Sequence, residues 1–216
     1  MGNEERAFEL IGGHVVVDYI NTVSWRLDDQ RRIERVPGYW ELLEWARQAQ
    51  LIDTGQYLML GEEGKRHPVL ARHVAMAAHV MREVLYRALA PLAVGEEPTP
   101  AARSELLYQI LAALQQAQLA TVSPLSWNVR VRAPADLIDL LGVRTLELLE
   151  SGDVASLRQC HDRACGWLFI DRSRSHTRRW CSSADCGNRE RARRHYTRHR
   201  EPPSDGLILP ERKEQL

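Results

Sequence analysis

All four cysteines of this chain lie within one short segment near its C-terminal end, and this clustering constrains the fold more than any other feature. Cys160, Cys165, Cys181 and Cys186 form two C-x4-C pairs separated by 15 residues. Zn²⁺ prefers four thiolates in a tetrahedron, and each close pair can supply two of them from one local turn. In a reducing compartment, clustered cysteines are more often metal ligands than disulfides. We therefore predict a structural Zn²⁺ with no open coordination position; four buried thiols, or two disulfides in an exported protein, are the alternatives.

The residues around the cysteines indicate how the chain returns to the metal. Trp167–Ile170 and Arg179–Trp180 have the composition of two short strands, joined by a turn at Asp171–Ser175. A helix is expected after Cys186, with Asn188 as a favoured N-cap. The resulting order of knuckle, hairpin, second knuckle and helix predicts a small treble-clef-like zinc finger.

The charge of the chain is distributed unevenly, although the formal net charge is zero. Residues 158–200 carry 12 arginines and 4 acidic residues, a net charge of +8, whereas residues 1–157 carry −6 and residues 201–216 carry −2. Such asymmetry favours an anionic partner for the basic part. Docking of the basic part on the acidic N-terminal part, within or between chains, is the alternative.

The helix expected after the last cysteine carries much of this positive charge. At about 100° per residue, Ala192, Tyr196 and Arg189 share one side, which we predict packs on the metal site. Arg191, Arg194 and Arg198 would then form an exposed stripe. Guanidinium groups suit phosphates and guanine edges, and like charges on one face repel each other unless an anion compensates them.

Nucleic acid is therefore the predicted partner of this helix, with a solvated charged face as the alternative. The candidate nucleic-acid-binding residues lie on the helix and in the preceding hairpin: Arg189, Arg191, Arg193, Arg194 and Arg198, and Arg172, Arg174, Arg178 and Arg179.

The rest of the chain has mainly helical periodicity. The pattern predicts helices at about 39–51, 68–89, 101–119 and 135–150 and a strand or hairpin within 121–134, while His14–Tyr19 fits either a short strand or the first turn of a helix. The predicted fold class is mainly α. A helical N-terminal domain with a short β element (1–152) precedes the zinc finger (153–203) and a tail (204–216).

Polar residues near the N-terminus interrupt an apolar segment and require partners. Asp18 and Asn21 could line a small-molecule pocket with His14 and Arg26, or they could make local capping and turn hydrogen bonds. The sequence contains no GxSxG, HExxH, P-loop or GxGxxG motif, so an enzyme is not expected. With no signal peptide and no long apolar segment, we expect a cytoplasmic protein, and a homodimer would suit so small a basic module.

The C-terminal motifs resemble a known family. The segment CGWLFIDRSRSHTRRWCSSADCGNRERARRHYTRHR resembles the CGNR zinc finger, whose name is the tetrapeptide at Cys186–Arg189. Upstream, HVVVDYINTV, with Asp18, Asn21 and Thr22, is similar to the start of the ABATE domain, which commonly precedes that finger. The resemblance implies a bacterial, stress-related transcription regulator with a ligand-sensing N-terminal domain and a DNA-binding finger. An RNA-binding or protein-interaction zinc module is the alternative.

Overall fold

The computed structural model describes residues 8–120 and 126–200, with side chains as far as residue 197. The N-terminal part contains the following elements: α1 (Val15–Ile20), β1 (Val23–Ser24), β2 (Ile33–Glu34), α2 (Tyr39–Gln48), α3 (Thr54–Arg66), α4 (Pro68–Ala93), α5 (Pro100–Gln116), β3 (Gln118–Leu119), β4 (Trp127–Asn128) and α6 (Asp136–Glu150). A 3₁₀ turn (Asp153–Ser156), β5 (Leu157–Gln159), β6 (Leu168–Ile170) and α7 (Cys186–Arg200) follow. The predicted fold class, mainly α with a small C-terminal zinc finger, is confirmed.

Helix α4 is the central element of the N-terminal part. Pro68 occupies its first turn, where a missing backbone N–H costs nothing. Its buried side includes Val74, Ala78, Met81 and Leu85, which recur at a spacing of three or four residues. Helices α1, α2, α3, α5 and α6 all contact it. No helix within the described ranges combines the length and apolar character needed to cross a bilayer.

Two N-terminal helices go beyond what the sequence pattern predicts. The segment left open between strand and helix forms α1, where the Nδ1 atom of His14 accepts a hydrogen bond from the backbone N–H of Val16 (3.2 Å). Helix α3 contains three glycines, which obscure its periodicity. It begins with a capping box between Asp53 and Gln56. Gly64 lets α3 approach α2, since a Cβ there would lie 2.4 Å from the ring of Tyr39.

The β element predicted within residues 121–134 is present in a shorter form. Strand β4 pairs with β3 in an antiparallel ladder of two residues on each strand. Val129 and Val131 are buried beyond the end of this ladder. Residues 121–125 of the predicted segment lie outside the described residues.

The strand pairing of the zinc finger differs from the predicted hairpin. Strand β6 pairs with β5, so that the hairpin encloses the first cysteine pair, and Arg179–Trp180 lies in an irregular segment. The prediction of a strand there was wrong because the backbone of this segment bonds to side chains and to the first knuckle, where the His161 N–H donates to the Arg179 carbonyl (3.0 Å). The carboxylate of Asp171 accepts from the backbone N–H groups of Ser173 and Arg178, and the guanidinium of Arg178 donates to the Trp180 carbonyl.

Strand β6 joins the finger to the N-terminal part through both of its faces. Leu168 and Ile170 belong to the main core, whereas Phe169 packs on the cysteine cluster, as expected from alternating side chains along a strand. The side chain of Asn21 donates to the Leu168 carbonyl (2.8 Å) and accepts from its N–H (2.9 Å). The carbonyl of Gly12 accepts from the Ile170 N–H at 2.8 Å. These bonds dock the hairpin on the α1 region.

Candidate metal centre and basic surface

The four cysteine sulfurs form one buried cluster. Cys160, Cys165, Cys181 and Cys186 are each 6% exposed or less. Their Sγ atoms all lie within 4.8 Å of one another, with the Cys165–Cys181 pair at 3.7 Å and the Cys181–Cys186 pair at 3.5 Å. The structure thus brings together all four residues that the sequence predicts as metal ligands.

The geometry of this cluster fits a tetrahedral thiolate site. Zn–S bonds of about 2.3 Å place neighbouring sulfurs about 3.8 Å apart, close to the two shorter separations. Hydrogen bonds from the thiols of Cys165, Cys181 and Cys186 lower the pKa of the Cys160 thiol. Four buried, soft sulfur donors at these separations are suited to a divalent metal.

Helix α7 begins at the cluster. Cys186 is both the last sulfur of the cluster and the first residue of α7, so its side chain lies at the positive end of the helix dipole. The predicted N-cap role of Asn188 was wrong, because the helix starts two residues earlier. The amide of Asn188 donates instead to the Ala184 carbonyl.

An ion-pair network fixes the direction of α7. Asp162, whose side chain is 0% exposed, pairs with Arg189 (3.0 Å) and Arg193 (3.3 Å). Burial raises the pKa of Asp162, but the hydrogen bond from the Ala164 N–H and the nearby guanidinium of Arg189 outweigh burial and hold the pKa below its ordinary value. Arg189 also donates to the Sγ atom of Cys186 at 2.8 Å. Two arginines of α7 are therefore anchored to the first knuckle.

The inward side of α7 is only partly the predicted one: Arg189 contacts the finger, whereas the predicted packing of Ala192 and Tyr196 on the metal site was wrong. Ala192 is exposed and the ring of Tyr196 is 71% exposed. The side of the helix that faces the finger carries Arg189 and Arg193. The buried carboxylate of Asp162 attracts their guanidinium groups, and this attraction outweighs the small apolar contact that Ala192 and Tyr196 could make.

Seven of the nine candidate nucleic-acid-binding arginines fall into three groups. Arg189 and Arg178 point inward; the guanidinium of Arg178 covers the Phe169 ring at 4.3 Å and donates to the Cys181 carbonyl. These two do not fit the surface role predicted for them, because their donors are used within the finger. Arg191 folds back to the Ser183 carbonyl (3.1 Å).

The second group lies on the loop after β6, where Arg172 pairs with Asp153 at 2.6 Å and Arg174 is exposed. The third group consists of Arg179, Arg193 and Arg194, which line a common groove. Arg198 belongs to α7, but its side chain lies outside the described residues.

This groove is a wide, open depression of about 890 Å³ beside α7. Arg163 of the first knuckle lines it together with Arg179, Arg193 and Arg194, and Glu190 contributes a carboxylate. Arg31, from the loop between β1 and β2, lines it too. Sequence reasoning missed Arg163 and Arg31, since single arginines in loops carry no periodic signal. The groove offers several guanidinium groups to an anion.

The four candidate ligand-binding residues do not share one pocket. Asp18 and Asn21 lie at a cavity of about 50 Å³, which has room for a few water molecules. His14 caps α1, and the buried guanidinium of Arg26 pairs with Glu83 at 2.6 Å. Each of the four residues has a hydrogen-bonding partner within the protein. Ligand sensing by this region stays a prediction.

We expect Asp18→Asn to stabilise the protein at alkaline pH. Burial raises the pKa of Asp18 to about 6, against the hydrogen bond from the Gly12 N–H, which lowers it. The folded state therefore holds a proton that the unfolded chain releases near its ordinary pKa of 3.8, and stability falls as the pH rises through this window. Asparagine keeps the acceptor without the charge, so the gain at pH 8 should be on the order of 1–3 kcal/mol.

Urea unfolding of both proteins at about pH 4.5 and pH 8 measures this effect, with the exposed Asp29→Asn as control. Taking the difference between variant and wild type at each pH cancels the titration of the metal ligands. A difference that is the same at both pH values would contradict the assignment of this titration to Asp18.

The fold and the cysteine cluster define a helical domain joined to a C-terminal zinc finger, and comparison with family models identifies both. The ABATE model, described as "Putative stress-induced transcription regulator", matches residues 13–157. The model of the CGNR zinc finger matches residues 156–199. The first match covers more than half of the chain, so the chain belongs to the ABATE family, and it carries a CGNR zinc finger. The resemblance noted in the sequence is confirmed. A search of curated proteins finds no match.

Proposed function

We propose that this protein is a DNA-binding transcription regulator, and not an enzyme, in which a zinc-bound finger presents α7 to the DNA backbone. The observation that carries the proposal is the direct attachment of a basic helix to the cysteine cluster, because Cys186 is at once a sulfur donor and the first residue of α7. Ligand sensing by the N-terminal domain and a homodimeric state are further predictions of the same proposal.

The metal belongs to the proposal as a structural group. Cys160, Cys165, Cys181 and Cys186 would hold Zn²⁺, which would supply four metal–sulfur bonds that cross-link the two knuckles. The chain supplies the orientation: Asp162 holds Arg189 and Arg193, and with them the first two turns of α7. The remaining exposed guanidinium groups then have a fixed position relative to the groove.

Phosphate contacts from the groove would dominate binding. Arg163 is exposed and makes no ion pair within the described residues, and Arg179 is exposed as well. Arg194 pairs with Glu190 at 3.0 Å, but its side chain is 56% exposed, and an exposed pair of this kind contributes little. These arginines can therefore turn to phosphates, and each contact would release condensed counterions.

Arg194→Ala is expected to weaken binding of duplex DNA about fivefold at moderate salt and to lower the slope of log K against log salt by about 0.9. A random-sequence duplex of about 20 base pairs is sufficient, because phosphate contacts do not depend on sequence. Fluorescence anisotropy of the labelled duplex across a salt series, with the full-length protein, measures both quantities.

The matched control is Arg103→Ala on α5, which removes the same charge from a side chain that is 54% exposed. Equal effects of the two substitutions would contradict a site at α7. Competition by RNA and by polyglutamate separates the alternatives. If RNA displaces the labelled duplex at a lower concentration than unlabelled duplex DNA does, an RNA-binding module is favoured. If polyglutamate displaces it at a lower concentration than duplex DNA does, a protein-interaction module is favoured.

A further inference from the structure

The loop between β1 and β2, although part of the N-terminal domain, is docked on the zinc finger. The backbone N–H of Arg26 donates to the Cys165 carbonyl (3.0 Å), and that of Leu27 donates to the Ala164 carbonyl (3.2 Å). Gly166 makes this approach feasible: its φ is +71°, and a Cβ there would lie 2.9 Å from the Leu27 side chain. These contacts fix the position of the β1–β2 loop relative to the first knuckle.

A tryptophan in this loop contacts two guanidinium groups. The Cζ atom of Arg189, on α7, lies 4.3 Å from the centre of the Trp25 ring, and that of Arg31, on the same loop as Trp25, also lies at 4.3 Å. Trp25 has a φ of +54°, which is unfavourable for a residue with a bulky side chain. The two cation–π contacts offset this strain and hold Arg31 beside α7.

Arg31 shares the groove with the arginines of the finger. Arg31 lines the groove, and its side chain is 48% exposed. Its ion pair with Asp28 (2.6 Å) is not buried. Asp28 lines the groove as well, so this wall carries an arginine and a carboxylate that would face the same anion. An exposed ion pair is weak enough for a phosphate to compete with the carboxylate.

We propose that the β1–β2 loop forms part of the nucleic-acid interface, with Arg31 contacting a phosphate while α7 contacts its neighbours. This inference rests on the proposed DNA-binding function and adds to it a contact from the N-terminal domain. Asp28 limits the affinity, because its carboxylate repels the phosphate that Arg31 attracts. The loop is also tied to α4, since Arg26 pairs with Glu83 and the buried Arg82 pairs with Glu34 of β2. The interface is therefore continuous with the core of the N-terminal domain.

The test compares neighbouring residues that carry the same charge. Arg31→Gln should weaken binding of a random-sequence duplex about three- to tenfold and lower the salt slope by about 0.9, whereas Arg32→Gln, an exposed residue outside the groove, should change the affinity less than twofold. Asp28→Asn should strengthen binding about two- to fivefold, and Asp29→Asn should not. All four substitutions lie on the surface of the full-length protein.

The outcomes separate this inference from the proposed function. If Arg194→Ala weakens binding but Arg31→Gln behaves like Arg32→Gln, the finger binds DNA and the loop takes no part, which overturns the inference alone. If the protein binds no duplex at any salt concentration, the proposed function itself fails. Opposite effects of Arg31→Gln and Asp28→Asn, with both controls silent, would establish the loop as part of the interface.

Discussion

Chelation of the metal is expected to unfold α7 and the second knuckle while leaving the β5–β6 hairpin in place. Helix α7 has no apolar face of its own, since Ala192 and Tyr196 are exposed, and an isolated helix of its length is marginal in water. Its attachment depends on the cysteine cluster and on Asp162. Metal binding in such modules contributes roughly 10–16 kcal/mol to the free energy of folding. Removal of the metal should therefore leave α7 and the second knuckle without ordered structure.

The hairpin should behave differently because its support comes from elsewhere. Leu157, Leu168 and Ile170 lie in the main core, and Asn21 bonds both backbone groups of Leu168. Hydrogen exchange with and without a chelator measures this: amide protection should fall at least about 100-fold over 181–197 and change little over 157–159 and 168–170. Cys181→Ser should reproduce the result of chelation. Retained protection of α7 in the metal-free protein would contradict the account.

Asn21→Ala is expected to destabilise the whole protein by about 2–4 kcal/mol. The substitution leaves the buried N–H and carbonyl of Leu168 without their partner, and each unpaired buried group costs about 1–3 kcal/mol. Urea unfolding of the zinc-loaded protein measures the loss, with the exposed Asn128→Ala as control.

This substitution also separates the two roles that the sequence allowed for Asn21. If Asn21 served only to bind a small-molecule ligand, its substitution would hardly change the free energy of unfolding of the ligand-free protein. A loss below about 1 kcal/mol would therefore favour the ligand-binding role over the structural one.

The cysteine cluster could be predicted from the sequence because its information is local. Two close pairs of cysteines define two turns, and four thiols in a short segment suit one tetrahedral ion. The helix after Cys186 was predicted for the same reason. The long periodic helices followed from spacing too, and α4 is the clearest example.

Several of the failures share a physical cause, which is that the partner of a residue lies far along the chain. Nothing in the sequence shows that Asp162 is buried, yet its carboxylate pairs with Arg189 and Arg193, and Tyr196 is left in solvent. Likewise, Asn21 needed a partner, and this partner is a backbone 147 residues away. The groove that unites Arg31 with the finger arises only from tertiary packing, so no spacing rule could find it.

The most direct test of the central claim is the affinity of the full-length protein for duplex DNA before metal removal, after it, and after Zn²⁺ is restored. The account predicts about one Zn²⁺ per chain, a loss of affinity of at least about 100-fold on removal, and full recovery when stoichiometric Zn²⁺ is added back. Metal-free protein that binds the duplex with unchanged affinity and an unchanged salt slope would contradict it.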